Sequence, residues 1–375
     1  MIRRIDLKKQ WIKQKKKLLP EIVSVLASGN YVGNSLVEDL ESSLAKYCGK
    51  KYAVAMNSGT DAITIALHLC GIKKKDEIIT HANSFIATTA SIVHLGAIPK
   101  FVDINYDQTI DHSLIQKKIN NKTKGILVAH LNGKMNDMKQ IKKIAKKNKL
   151  FLIEDCAQAI GSSIYGKKSG QWGDVGCFST HPLKNFNACG DGGFIVTNNK
   201  SIYQKAKILI NHGQESRGNY KFFAHVSRMD AIQAAILNFR LKTLNQVIRK
   251  RRENANLYFK ELKKNEYVNF DIDNKKKKEF STFHLFVIRC KHREKLIKYL
   301  KIKKIETGIH YPIPIHKQKA YKNFSNEMPY LKVTESISKQ ILSLPINEYL
   351  TRKQIIFICK KINQFYDKKI YKTVS

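Results

Sequence analysis

The sequence predicts an α/β fold, with a mainly parallel sheet between helices and then a smaller C-terminal α+β part. Three observations carry this. From about residue 21 to residue 199, short β-rich runs alternate with helical patterns, the signature of parallel β-α-β units with helices on both faces. After residue 199 the texture changes to a long amphipathic pattern followed by one more strand and helix. The length, 375 residues with 43% hydrophobic side chains, is enough for about two domains of roughly 150 residues each. We expect a large domain over residues 1–248, including an N-terminal arm, and a small domain over 249–375.

The elements follow in chain order. Residues 42–47 read as helix, 52–55 as strand and 60–70 as a helix with apolar spacing near 3.6. Strands are expected at 99–103, 125–129 and 150–154, with an amphipathic helix at 138–148 between the last two. Two more strands fall at 175–178 and 193–196. Residues 229–264 place Met229, Ile232, Ala235, Ile236, Phe239 and Leu244 on one helical pattern, which would join the two domains. The run Lys275-Lys276-Lys277-Lys278 marks 271–279 as an exposed loop. A strand at 283–289 and a helix at 292–300 complete the small domain.

Composition excludes several classes. No apolar run approaches the roughly 20 residues that cross a bilayer, and no apolar core follows the basic start, so no membrane partner and a cytoplasmic location are expected. Lys+Arg 68 against Asp+Glu 30 gives +38. The excess is lysine scattered along the chain, without finger spacing or aromatic-interleaved RNA motifs, which favours solvated surface over nucleic-acid binding. Anionic small molecules fit the charge equally well. The seven cysteines contain no C-x-x-C pair and read as buried free thiols; no metal site is expected.

Three segments can carry chemistry. Asn57-Ser58-Gly59-Thr60-Asp61 lies between strand and helix, where free backbone N–H groups make a phosphate seat or, equally simply, an N-cap. In Glu154-Asp155-Cys156-Ala157-Gln158, a carboxylate at the end of an apolar strand points to the crevice where such sheets bind ligands. It would pair with a cationic ring nitrogen or cap the next helix. In Ser179-Thr180-His181-Pro182-Leu183-Lys184-Asn185, a lysine sits in a Gly-flanked stretch that ends in Gly190-Asp191-Gly192-Gly193. Held in a pocket, such an amine can lose its proton and form a Schiff base.

In this order, these segments resemble the DegT/DnrJ/StrS-type sugar aminotransferases. The likeness includes Ala82-Asn83-Ser84-Phe85-Ile86-Ala87-Thr88, Asn211-His212-Gly213, Arg228-Met229-Asp230 and His310-Tyr311-Pro312-Ile313-Pro314-Ile315-His316. It implies a pyridoxal phosphate (PLP) enzyme of fold type I that converts a nucleotide-linked keto-sugar to an amino-sugar, with L-glutamate as donor. It further implies a homodimer with shared active sites. Lys184 would bind the cofactor covalently and shuttle the proton, while Asp155 would face the pyridine nitrogen. Phe85 would stack on the ring and Gln158 would lie by its hydroxyl. Ser58, Gly59, Thr60 and Ser179 would hold the phosphate, and His310, Tyr311 and His181 would reach the substrate, with His316 a weaker candidate.

Two positions depart from the family pattern. Val226 stands where relatives carry an Asn that contacts the phosphate of the neighbouring subunit, so that Ser227 or His225 would have to replace it. Thr180 stands where an aromatic is common. Lys184, where dehydratase relatives carry His, favours transamination. His181-Pro182 leans toward amination at C4 over C3, with sugar and nucleotide left open. Two other readings remain at this level: a basic nucleic-acid-binding or regulatory protein on this scaffold, and a PLP enzyme for another small carbonyl compound.

Overall fold

The computed structural model describes residues 1–325 and 328–373. A seven-stranded sheet organises the larger part, from strands β1 (Tyr52–Met56), β2 (Glu77–His81), β3 (Ile98–Val102), β4 (Thr123–Ala129), β5 (Phe151–Asp155), β6 (Val175–Ser179) and β7 (Gly193–Thr197). Their spatial order is β1-β7-β6-β5-β4-β2-β3. From β6 to β3 the neighbours pair in parallel, and β7 alone runs against its two neighbours. β2 and β7 are buried at every residue, as a sheet covered on both faces requires.

Helices cover both faces. On one side α3 (Gly59–Leu69) buries Ala62, Ile63, Ile65, Ala66 and Leu67. Its start is fixed by the Ser58 hydroxyl, which accepts the Asp61 N–H at 3.0 Å. Its end is closed by Gly71 at φ 75°, a conformation that only glycine adopts without strain. On the other side α5 (Met138–Lys147) turns Met138, Ile141 and Ala145 inward among its lysines. Between them in sequence, α4 (Ile86–His94) follows β2.

The C-terminal part has its own three-stranded antiparallel sheet, β8 (Val268–Asn269), β9 (Phe286–Cys290) and β10 (Ile341–Leu344). Its core joins Tyr258, Phe286, Leu296, Leu342, Ile358 and Phe365. Among the described residues, no helix is long and apolar enough to cross a membrane.

Two local expectations are corrected. The pattern over 229–264 is two helices, Ala231–Leu241 and Leu244–Glu261. The Arg240 guanidinium donates to the carbonyls of Asn187 (2.7 Å) and Ala188 (3.2 Å), tying the earlier of the two to the lysine loop, and the break falls at Lys242 and Thr243. The lysine-rich segment 271–279 is an exposed loop, as expected, though a tethered one. Its Asn274 side chain caps a short 3-10 turn, and Lys277 pairs with Asp137 at 2.8 Å. Cys189 is exposed, whereas the other six free cysteines are buried. A first helix, Leu7–Ser28, was not anticipated; it buries only Gln10, Leu18 and Val25.

The loop carrying Lys184 is rooted in β6 and β7, whose Phe178 and Phe194 rings stack at 4.5 Å in the core. Phe178→Ala should therefore lower stability by about 3–5 kcal/mol in urea unfolding. A loss under about 1 kcal/mol would show that this stack does not anchor the loop.

Candidate active site

Five of the parallel strands of the large sheet end at the same edge, and the residues just beyond β1, β2, β4, β5 and β6 line one cavity of about 430 Å³. All eleven residues expected from the sequence meet there: Ser58, Gly59, Thr60, Phe85, Asp155, Gln158, Ser179, His181, Lys184, His310 and Tyr311. A larger, polar cavity of about 520 Å³ beside Asp107 and Lys134 contains none of them. His316 is not part of the site. It is buried elsewhere, its Nε2 3.1 Å from Glu335.

Lys184 stands in the connection between antiparallel strands, closed at its base by the Ser179–Gly193 pair. Thr180 N–H donates to Gly192 at 2.8 Å and Ala188 N–H to Thr180 at 2.7 Å. Among the described residues, no acceptor or carboxylate lies within bonding distance of the Lys184 amine. The side chain is partly exposed and lines the cavity. Burial pushes its pKa below the ordinary lysine value, with the Asp155 charge opposing. Asp155 is the last residue of β5, and its carboxylate is held by Thr88 Oγ1 (2.8 Å) and the Ala157 N–H (3.1 Å). Thr88, on the first turn of α4 and last in the segment 82–88 that carries the family likeness, is a neighbour of the site to which the sequence assigned no role.

Behind this floor, Glu154 accepts the N–H groups of Gly170, Trp172 and Gly173 and lies 3.0 Å from His130 Nε2. These bonds keep its carboxyl below its ordinary pKa despite full burial. Gln158 spans the wall: its Nε2 donates to the Tyr311 hydroxyl at 3.0 Å and its Oε1 accepts Asn132 N–H at 2.8 Å. Phe85, 54% exposed, presents its ring at the cavity, 5.8 Å from the Tyr311 ring.

At the other end lies the start of α3. The Ser58 oxygen accepts the Asp61 N–H as the N-cap, which leaves its O–H free to donate into the cavity it lines. The backbone N–H groups of Gly59 and Thr60 have no acceptor among the described residues and face the cavity with the positive end of the helix. A Cβ on Gly59 would stand 2.5 Å from Ser179 Cβ, so only glycine lets the helix start approach β6 this closely. Ser227 does not stand in for the missing Asn, because it is fully buried and bonded to Asp61 at 2.7 Å.

The C-terminal part contributes His310, Tyr311 and, unforeseen, His284. Burial pushes the His310 pKa down to about 4, helped by Arg4 and Lys184. Burial and the nearby cations Lys184 and Arg251 hold His284 well below its usual value. Both imidazoles are neutral near pH 7.

The chain belongs to the DegT/DnrJ/EryC1/StrS aminotransferase family, whose model matches residues 13–363. It is 38% identical to a dTDP-3-amino-3,6-dideoxy-alpha-D-galactopyranose transaminase from Aneurinibacillus thermoaerophilus, over 97% of this chain and 99% of that protein. The solved structure of S. venezuelae DesV in complex with a ketimine intermediate superposes with a TM-score of 0.94 at 31% identity, covering 97% of this chain and 98% of that one. NtdA from Bacillus subtilis, solved with bound PMP, superposes with a TM-score of 0.84 at 31% identity, covering 93% and 82%. The family is PLP-dependent, and the cavity fits that cofactor. It offers an unpaired amine, a fixed carboxylate and a helix start with free N–H groups.

The neutral histidines set a pH dependence. Below pH 6.5 the unfolded chain binds protons that folded His284 and His310 refuse, so stability falls as pH falls, for His310 down to about 4. The drop in Tm from pH 7.5 to pH 5 should be smaller in His284→Asn than in the parent protein. An equal drop would remove His284 from this account.

Proposed function

We propose that this chain transfers an amino group to a nucleotide-linked keto-sugar, with L-glutamate as the donor. The observation that carries the reading is the unpaired Lys184 amine sharing a cavity with the bound carboxylate of Asp155. The 38%-identical relative is a dTDP-3-amino-sugar transaminase. We therefore take a dTDP-linked sugar with its carbonyl at C3, over the C4 suggested by His181-Pro182.

When bound, PLP supplies an electrophilic aldehyde and a ring that accepts electrons. The protein supplies the rest. Lys184 Nζ, shifted toward its neutral form, can act as a nucleophile and can accept and return a proton. Asp155 fixes a negative charge at the cavity floor for the ring nitrogen. Phe85 covers the ring, and Gln158 with Tyr311 forms a side wall that orients it. Gly59, Thr60 and Ser179 seat the phosphate. His310, Tyr311 and His181 face the sugar. We place the division between the two domains near residue 248, inside the helix Leu244–Glu261. A homodimer completes the reading, covering exposed Trp11, Ile12, Leu19 and Val23 on the first helix.

Lys184→Ala should leave a folded protein with unchanged thermal melting, while turnover of dTDP- and UDP-linked keto-sugars with glutamate falls by more than about 10,000-fold, since nucleophile and proton carrier are lost together. Turnover within tenfold of the parent would overturn the reading.

A further inference from the structure

The extreme N-terminus reaches the same cavity. Ile2 pairs in parallel with Ile305: its N–H donates to Lys304 O at 2.7 Å, and its carbonyl accepts Glu306 N–H at 3.0 Å. The Arg4 N–H then donates to Glu306 Oε2 at 3.0 Å, and Asn347 Nδ2 donates to the Arg3 carbonyl at 2.9 Å. These bonds hold the main chain at residues 2–4 and direct the Arg4 side chain past Gly308 into the cavity that contains Lys184. A Cβ on Gly308 would lie 3.3 Å from Arg4 Nε, so the absence of a side chain there makes room for the guanidinium.

Arg4 is a cation without a counter-ion. Among the described residues, no carboxylate lies within ion-pair distance of its guanidinium and no acceptor is bonded to it. The neighbouring Arg251 shows the contrast. It is paired with Glu348 at 3.1 Å and donates to the carbonyls of Phe283 and His284. Glu306 acts on Arg4 only from a distance, through a carboxylate oxygen already taken by the Arg4 main chain. Partial burial works against the charge, as the lowered pKa of the guanidinium records. A half-buried, unpaired guanidinium aimed into a ligand cavity costs free energy until an anion meets it.

We infer that Arg4 is a specificity-determining residue of this site, receiving a carboxylate of the reacting compounds. The inference rests on the reading of this cavity as the transamination site. Guanidinium presents a planar fork that matches a carboxylate with two parallel N–H···O bonds. The cofactor phosphate has a separate seat at the start of α3, so Arg4 is not needed there. Because Arg4 shares the cavity of Lys184 and acts electrostatically on His310, the group it meets belongs to the reacting end of the ligand. That carboxylate has two possible sources: the amino donor, or a sugar oxidised to a uronic acid.

Titration calorimetry on the full-length, PLP-loaded protein separates them, with the parent compared to Arg4→Met, Arg4→Gln and Arg4→Lys. The probes are 2-oxoglutarate for the donor, and UDP-glucuronate against UDP-glucose for the sugar. Arg4→Met and Arg4→Gln should weaken one carboxylate probe by about 10- to 100-fold, as loss of a charge-assisted pair does, and leave UDP-glucose unchanged. Arg4→Lys should recover part of the loss. Weakening confined to 2-oxoglutarate identifies the donor, and weakening confined to UDP-glucuronate the sugar. Unchanged affinity for both, or equal weakening of UDP-glucose, overturns the inference. The transamination reading fails separately, if the parent protein shows no change of cofactor absorbance with any amino acid.

Discussion

An amine kept inside a cavity without a counter-ion is driven toward its neutral form, and the rest of this site is arranged around that constraint. Lys184 can be held so only because its loop is short of freedom. The loop is rooted in the Ser179–Gly193 pair, and Arg240 ties it through the Asn187 and Ala188 carbonyls to the helix below. Asn185 Nδ2 donates to the Thr282 carbonyl at 3.2 Å, joining the loop to the C-terminal part as well. A flexible lysine in the same place would reach solvent and remain an ordinary ammonium.

Much of this was legible in the sequence, for a physical reason. Parallel strands buried on both faces are short apolar runs, and the residues that face the ligand come directly after them. Strand-end position therefore marked Ser58, Asp155 and Ser179 even before the family likeness was considered. His284 and Arg4 were not legible, because each enters the cavity through contacts far away in sequence, and nothing local marked Thr88, within the likeness segment 82–88, as a partner of Asp155. The same holds for the first helix, whose buried positions Gln10, Leu18 and Val25 are too sparse to form a stripe. The break at Thr243 carries no glycine or proline to mark it, and periodicity does not report it.

The basic composition gains meaning from the placement of the few acids. With 30 carboxylates against 68 basic side chains, several acids act as organisers of the main chain instead of surface partners. Glu154 gathers three N–H groups from residues 170–173 behind the site. Asp103 accepts the Val333 and Thr334 N–H groups, both at 2.9 Å, at the start of the helix Lys332–Ser338. Glu41 joins Lys207 to the Ala55 N–H of β1. The cavity itself sets Arg4 and Lys184 against Asp155 and Asp191.

The cations of the cavity link protonation to binding. Lys184 and Arg4 depress the proton affinity of His310, and burial depresses all three groups. An anion entering the cavity replaces lost hydration and opposes the repulsion among the cations, so it must raise the proton affinity of its neighbours. Linkage makes the effect reciprocal: protons bound at these groups strengthen anion binding by the same free energy. A site that lowers the proton affinity of an amine by burial thereby lets an anionic ligand raise it again.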